Sequence, residues 1–204
     1  MRRLEFVISE HRGALGSEPM ARYGRAVQRL SELAHAEIST SHYTDADALD
    51  ADAIVLSGSY QPWSAHDPEE LERLDEALRA FDGPVLGICA GVQTLVRAAG
   101  GTISPAMSAT PEGFAAIDVV DGSDLLCGLP SSVDVFHKHS DEISDVPAGF
   151  RVLATSETCA VEAVVADDRA WWGTQFHPEE WTAEHPAGRT ILMNFLRLAV
   201  IGMR

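Results

Sequence analysis

Pro84-Val85-Leu86-Gly87-Ile88-Cys89-Ala90-Gly91-Val92-Gln93 is the stretch on which the fold turns. Val85 to Ile88 is a short apolar run of the kind that forms a strand covered on both faces, and from Ala90 to Ala99 apolar residues recur at helical spacing. Cys89 therefore falls at a strand-to-helix junction. Gly87-x-Cys89-x-Gly91 has the form of a nucleophile elbow, in which small residues flank a side chain held on a strained turn above the end of a sheet. A thiol in that place faces the positive end of a helix dipole, which favours a thiolate. Backbone N–H groups at the same helix start can hold a developing oxyanion. A buried structural cysteine beside a tight helix–strand contact explains the same stretch about as well, since short motifs recur by chance.

A second stretch shifts that balance. Ala170-Trp171-Trp172-Gly173-Thr174-Gln175-Phe176-His177-Pro178-Glu179 is an apolar strand that ends in a histidine, with a glutamate two residues on. Pro178 stops the strand and stiffens the turn, so that His177 and Glu179 can face the same side. A cysteine nucleophile needs a base, and the base needs a partner to orient it. Cys89, His177 and Glu179 supply all three.

Gly87-Ile88-Cys89-Ala90-Gly91-Val92-Gln93 and Gln175-Phe176-His177-Pro178-Glu179 resemble, in order and in separation, the two signatures of class I (triad) glutamine amidotransferase domains. The resemblance spans nearly the whole chain. It implies a flavodoxin-like three-layer sandwich and the hydrolysis of glutamine to glutamate and ammonia. Cys89 would be the nucleophile, His177 the base and Glu179 its orienting partner. One oxyanion amide would come from Ala90 and the other from the loop after the third strand. That loop is Ser57-Gly58-Ser59 here, in place of the family's usual Gly-Gly-Pro; the Ser59 amide is the expected donor, with Gly58 needed for the backbone turn. Gln93, one helical turn past Cys89, would help hold the substrate's amino-acid end. Lys138-His139-Ser140-Asp141 aligns with a Ser-His-x-Asp-like segment that contacts bound glutamine, which makes Lys138, His139 and Ser140 site-lining candidates. Family sequences often carry Ser after His-Pro-Glu; Glu180 and Trp181 stand there instead.

Composition sets the outer limits. The 204 residues are 46% hydrophobic, enough for one well-buried domain spanning 1–204 and too few for two comfortable ones. Acidic residues outnumber basic ones 31 to 15, a net charge of −16, which argues against nucleic acid or an anionic membrane as a direct partner. No apolar run approaches membrane-spanning length, and the N-terminus enters a short strand in place of a leader's apolar core. A cytoplasmic protein is expected. Cys89, Cys127 and Cys159 lack C-x-x-C spacing, which speaks against a disulfide framework or a zinc site. His137 and His139, with Asp141 nearby, have metal-ligand character, yet no further ligand cluster in the sequence completes a site. No metal or organic cofactor is expected.

In order, Leu4–Ile8, Glu37–Tyr43, Ala53–Leu56 and the Cys89 strand alternate with helical patterns at Tyr23–Ala34 and Glu69–Phe81. That alternation predicts a parallel sheet with right-handed crossovers. Ser9 to Pro19 is expected as a loop, with His11 and Arg12 as solvated residues of it. From Glu112 onward shorter strands (114–120, 133–136, 150–154, 161–165, 170–176) predict an antiparallel half added beside the parallel core, and a helix over 186–203 closes the chain.

Three functions fit these residues. The first is a glutaminase subunit that passes ammonia to a separate synthase, since the chain has no segment left for a nucleotide-binding synthase domain. The second is a stand-alone γ-glutamyl amide hydrolase with the same triad. The third is a non-catalytic regulatory subunit of the same fold, which an intact Cys, His and Glu set argues against.

Overall fold

The structure, a computed structural model, describes residues 3–106 and 112–201. Strand and helix alternate through the first half: β1 (Leu4–Ile8), α1 (Ser17–Ala34), β2 (Ile38–His42), β3 (Ala53–Leu56), α2 (Pro68–Ala80), β4 (Val85–Ile88) and α3 (Ala90–Ala98). Strands dominate the second half: β5 (Thr102–Pro105), β6 (Gly113–Val119), β7 (Ser132–His137), β8 (Asp141–Asp145), β9 (Phe150–Thr155), β10 (Ala163–Ala166) and β11 (Trp171–Thr174), before α4 (Ala187–Ile201). Met203, the expected end of that helix, lies outside the described residues.

Among the described residues nine strands share one sheet, in the order β2-β1-β3-β4-β11-β10-β9-β6-β7, and β5 pairs with β8 as a separate ribbon. Neighbours from β2 to β11 run parallel. Those from β11 to β7 run antiparallel. The central strands are apolar on both faces because helices cover both. Phe6, Ile8, Val55, Leu86 and Ile88 pack towards Leu30 of α1 and Ile191 and Phe195 of α4. Their chain neighbours Val7, Ile54, Leu56 and Val85 point the other way, towards Leu74 and Leu78 of α2 and Leu95 and Ala98 of α3. The two-residue period of a strand thus feeds two cores, and the result is the three-layer α/β sandwich that the family resemblance implies.

Several boundaries differ from the sequence expectation, each for a local reason. Helix α1 begins at Ser17, so Pro19 sits inside its first turn. The first N–H groups of a helix have no partner within it, and a proline there removes nothing the helix needs. At α2, by contrast, Asp67 behaves as the expected cap, its carboxylate accepting from the Glu69 and Glu70 amides at 2.8 and 3.3 Å. Such a cap contributes about 1 kcal/mol. Strand β8 has no counterpart in the sequence expectation, because Asp141-Glu142-Ile143-Ser144-Asp145 offers only Ile143 to a core. The sequence also places the last strand within an antiparallel addition. Instead β11 lies in the middle of the sheet, parallel to β4 on one side and antiparallel to β10 on the other.

The β4–α3 junction depends on close approach of backbone to backbone. A Cβ placed on Gly91 would lie 2.4 Å from the Leu56 carbonyl oxygen, and one on Gly87 would lie 2.5 Å from the Gly91 carbonyl carbon. Gly91→Ala must therefore push α3 away from the end of β3. It is expected to destabilise the protein by about 1–3 kcal/mol, measurable as a lower midpoint of urea unfolding with unchanged slope.

Candidate active site

Strands β3, β4 and β11 are parallel neighbours, so their carboxyl ends open on one edge of the sheet, where open α/β sheets bind ligands. The chain leaves these ends at Ser57, Cys89 and Gln175. All ten residues singled out from the sequence line one cavity of about 390 Å³ above that edge, within the ~300–1,000 Å³ range of small-molecule sites.

Cys89 adopts φ 52° and ψ −110°, a conformation that L-residues rarely take, directly before the first residue of α3. Its amide is tied to the Thr174 carbonyl of β11 at 2.7 Å. Its sulfur approaches the Lys138 carbonyl at 3.7 Å and the amide nitrogen of Gln175 at 3.8 Å. The His177 ring lies over the same place. Nε2 is 3.3 Å from the Lys138 carbonyl, and Nδ1 is 2.7 Å from Glu179 Oε1. Gly58 is wedged against both, since a Cβ there would be 2.9 Å from His177 Cε1 and 3.4 Å from Cys89 Cβ. Sulfur, imidazole and carboxylate are thus brought into one chain of contacts.

Burial by itself would push the His177 imidazole down. The Glu179 carboxylate and the adjoining Cys89 outweigh it and hold the ring well above the ordinary histidine value. This is the electrostatics of a base whose charged form is stabilised from both sides.

The loop after β3 is organised by residues that the sequence did not single out. The Gly58 carbonyl accepts from Tyr23 Oη at 3.0 Å and from Ser57 Oγ at 2.7 Å. Glu10 is fully buried, and its Oε1 accepts from Tyr23 Oη and Ser59 Oγ, both at 3.1 Å, and from the Tyr60 and Gln61 amides. Burial and Glu10 push the Tyr23 phenol up, so it stays protonated and donates. With the Gly58 carbonyl held by two donors, the orientation of the Gly58–Ser59 peptide is fixed. Among the described residues the Ser59 amide has no hydrogen-bond partner. The Ala90 amide, first in its helix, has none one turn back. Glu10 directly precedes His11 and Arg12, which turn instead to Tyr43 and Asp45. An isolated acidic residue at a strand end gives no sequence signal of its own.

Gln93 is 2% exposed and its side-chain amide is engaged by the protein. It donates to the Asp141 carbonyl at 2.8 Å and to Gln175 Oε1 at 3.1 Å, and accepts from Trp63 Nε1 at 2.8 Å. Any effect of Gln93 on a ligand would pass through those partners. Lys138 Nζ is 3.0 Å from Glu112 and stands 5.4 Å from the Tyr60 ring, so the cavity side of Lys138 is its carbonyl. Ser140 is exposed at the rim, its hydroxyl 3.3 Å from the Asp141 carboxylate. Glu180, which replaces the family's serine, holds Arg22 at 3.0 Å over the cavity mouth, and Trp181 stacks on Arg29. Beneath the cavity floor, His137 and His139 meet Glu162, the residue just before β10. That third ligand comes from a distant part of the chain, which is why the sequence did not offer it.

A three-layer sheet carrying a cysteine elbow and a His-x-Glu loop on adjacent strand ends defines a class of amide-processing protein. The sequence profile described as glutamine amidotransferase class-I matches residues 17–199. The chain is 32% identical over 183 residues to the separate glutamine-hydrolyzing subunit of GMP synthase from Pyrococcus furiosus, covering 90% of this chain and 94% of that one. It is 40% identical over 143 residues to the glutamine-hydrolyzing GMP synthase of Bacillus subtilis, which covers 70% of this chain and 27% of that protein. The crystal structure of a protein from Thermoplasma acidophilum, described as a GMP synthase subunit, superposes with a TM-score of 0.80 at 26% identity, over 97% of this chain and 94% of that one. The chain belongs to the class-I glutamine amidotransferase family.

Because the Glu179 carboxylate stabilises the imidazolium, Glu179→Gln must move the His177 titration midpoint downward. Side-chain NMR of the ring protons across pH checks this; an unmoved midpoint would show that the 2.7 Å contact carries no charge coupling.

Proposed function

We propose that this chain is the glutamine-hydrolysing subunit of a two-subunit GMP synthase, with residues 1–204 as a single glutaminase domain acting in the cytoplasm. The observation that carries the proposal is the contact of the Cys89 sulfur and the His177 ring around one carbonyl, at the mouth of a cavity sized for a small amino acid. The relatives that are separate GMP synthase subunits match this chain almost end to end, whereas in the Bacillus subtilis protein the matched part is a fraction of a longer chain. Ammonia formed here would pass to a separate synthase that aminates a purine nucleotide. In the described residues no helix is long and apolar enough to cross a membrane.

Cys89 attacks the side-chain amide carbon of glutamine while His177 takes the thiol proton, and Glu179 holds the imidazolium in place. The resulting oxyanion lies between the Ala90 and Ser59 amides, each such donor lowering the barrier by about 3 kcal/mol. His177 then gives its proton to the leaving ammonia, and water releases the thioester in a mirrored second half. The zwitterionic end of glutamine faces the rim, where Arg22 and Lys138 offer positive charge and Glu112 and Glu180 negative. Gln93 holds the Asp141 carbonyl and Gln175 against the cavity from behind. None of these steps calls on a metal or organic cofactor.

The test is GMP formation by this chain mixed with the synthase subunit. Cys89→Ala should remove glutamine-dependent synthesis by about four orders of magnitude or more, leaving ammonia-dependent synthesis intact. Unaided turnover of other γ-glutamyl amides, with none of glutamine, would identify a stand-alone hydrolase instead. Tyr23→Phe frees one of the two bonds on the Gly58 carbonyl. It is expected to lower kcat about tenfold with little change in KM, the pattern of an interaction made only in the transition state.

A further inference from the structure

Beneath the Lys138 carbonyl lies a second cluster that glutamine hydrolysis does not use. His137 ends β7 with 1% of its surface exposed, His139 follows two residues on, and Glu162 is fully buried at the start of β10. One ligand atom from each lies within 4.8 Å of the others, and His137 Nδ1 is 3.7 Å from Glu162 Oε1. Among the described residues the four ring nitrogens and both Glu162 oxygens are buried without a hydrogen-bond partner. Buried polar atoms are satisfied in more than about 90% of cases, so six unsatisfied atoms facing one another call for a common partner.

We propose that His137, His139 and Glu162 form a binding site for a divalent transition-metal ion of the zinc type. Two imidazoles and one carboxylate are the donor set of such ions, whereas calcium and magnesium seek six or more oxygens. Donors around tetrahedral zinc, at bond lengths of about 2.0–2.2 Å, stand roughly 3.3–3.6 Å apart, so the pair at 3.7 Å needs almost no movement. A shared proton between His137 and Glu162 would serve only two of the six atoms and leave His139 untouched. Burial holds His137 down at about 4, with the neighbouring His139 adding to the effect, and so keeps it neutral, the ligand form. A bound ion would join the end of β7 to the start of β10. Lys138 sits between the two histidines, so the ion would also fix the carbonyl that faces both Cys89 and His177. Its part is positioning, and the proposal stands independently of what Cys89 acts upon.

The experiment uses the full chain carrying Cys89→Ala, which removes the one thiol beside His177, stripped with chelator and titrated with cobalt(II) and then zinc(II). One equivalent of cobalt should give visible d–d bands without a thiolate charge-transfer band, and zinc should displace it. Zinc should raise the melting temperature. Glu162→Gln and His137→Gln, in the same background, should each weaken binding at least a hundredfold and abolish that rise, with metal-free circular dichroism confirming the fold. Should either variant not fold, the cobalt spectrum of the parent chain and the count of paramagnetically shifted imidazole N–H signals, expected to be two, still decide the matter. Undiminished binding in the folded variants, a thiolate band, or no binding at millimolar metal would overturn the proposal.

Discussion

The arrangement depends on one contact: the start of α3 lies directly against the end of β3, with no side chain between Gly91 and the Leu56 carbonyl. That approach lets the chain leave β4 and enter the helix within one residue. The residue in between, Cys89, is left with a positive φ and its side chain raised above the sheet. Strain of this kind persists only where the surroundings over-determine it. Here a packed core on both faces of β4, the bond from the Cys89 amide to β11 and the two glycines do so.

From that junction outward, the cavity is built by strand order. Because β11 inserts beside β4 in parallel, the loop that follows it reaches the sheet edge next to Cys89 and delivers His177. The His177 amide is in turn held by the Phe136 carbonyl of β7, so the antiparallel half braces the histidine that the parallel half needs. A second brace runs through polar groups: Glu10 and Tyr23 hold the loop after β3, while Trp63 and Gln93 tie that loop's far end to Asp141 and Gln175. Helix pair α2–α3 is fixed nearby by the Arg97–Asp75 ion pair at 2.7 Å, with Arg97 also stacked on Trp63. These networks are mostly buried, where low dielectric strengthens a satisfied hydrogen bond.

The parts of this design legible in the sequence are those that repeat or that break a pattern. Leu4–Ile8, Ala53–Leu56 and Val85–Ile88 are apolar runs bounded by breakers, and their ends are legible to the residue. Cys89 and His177 stand out because glycines and a proline punctuate them. What escapes reading has no local signature. Glu10 is one carboxylate at the end of a strand, and only the fold shows four donors converging on it. Glu162 looks like an ordinary polar residue before a strand until β7 brings two histidines to it. The central place of β11 could not be inferred either, since an apolar strand of four residues pairs equally well in either direction. Gln93 carries a signal for place but not for partners: helical spacing puts it near Cys89, yet its hydrogen bonds run to residues far along the chain.

The central claim is that Cys89 is the nucleophile, activated where it stands. The most direct measurement is intact-protein and peptide mass spectrometry after exposure to a glutamine analogue with an electrophilic group in place of its side-chain amide. Free cysteines are also present at the exposed Cys127 and the buried Cys159, so the chain contains its own controls. The account predicts one adduct per chain, on Cys89, formed at low analogue concentration and suppressed by glutamine. An adduct on Cys127, or none that glutamine protects, would contradict it.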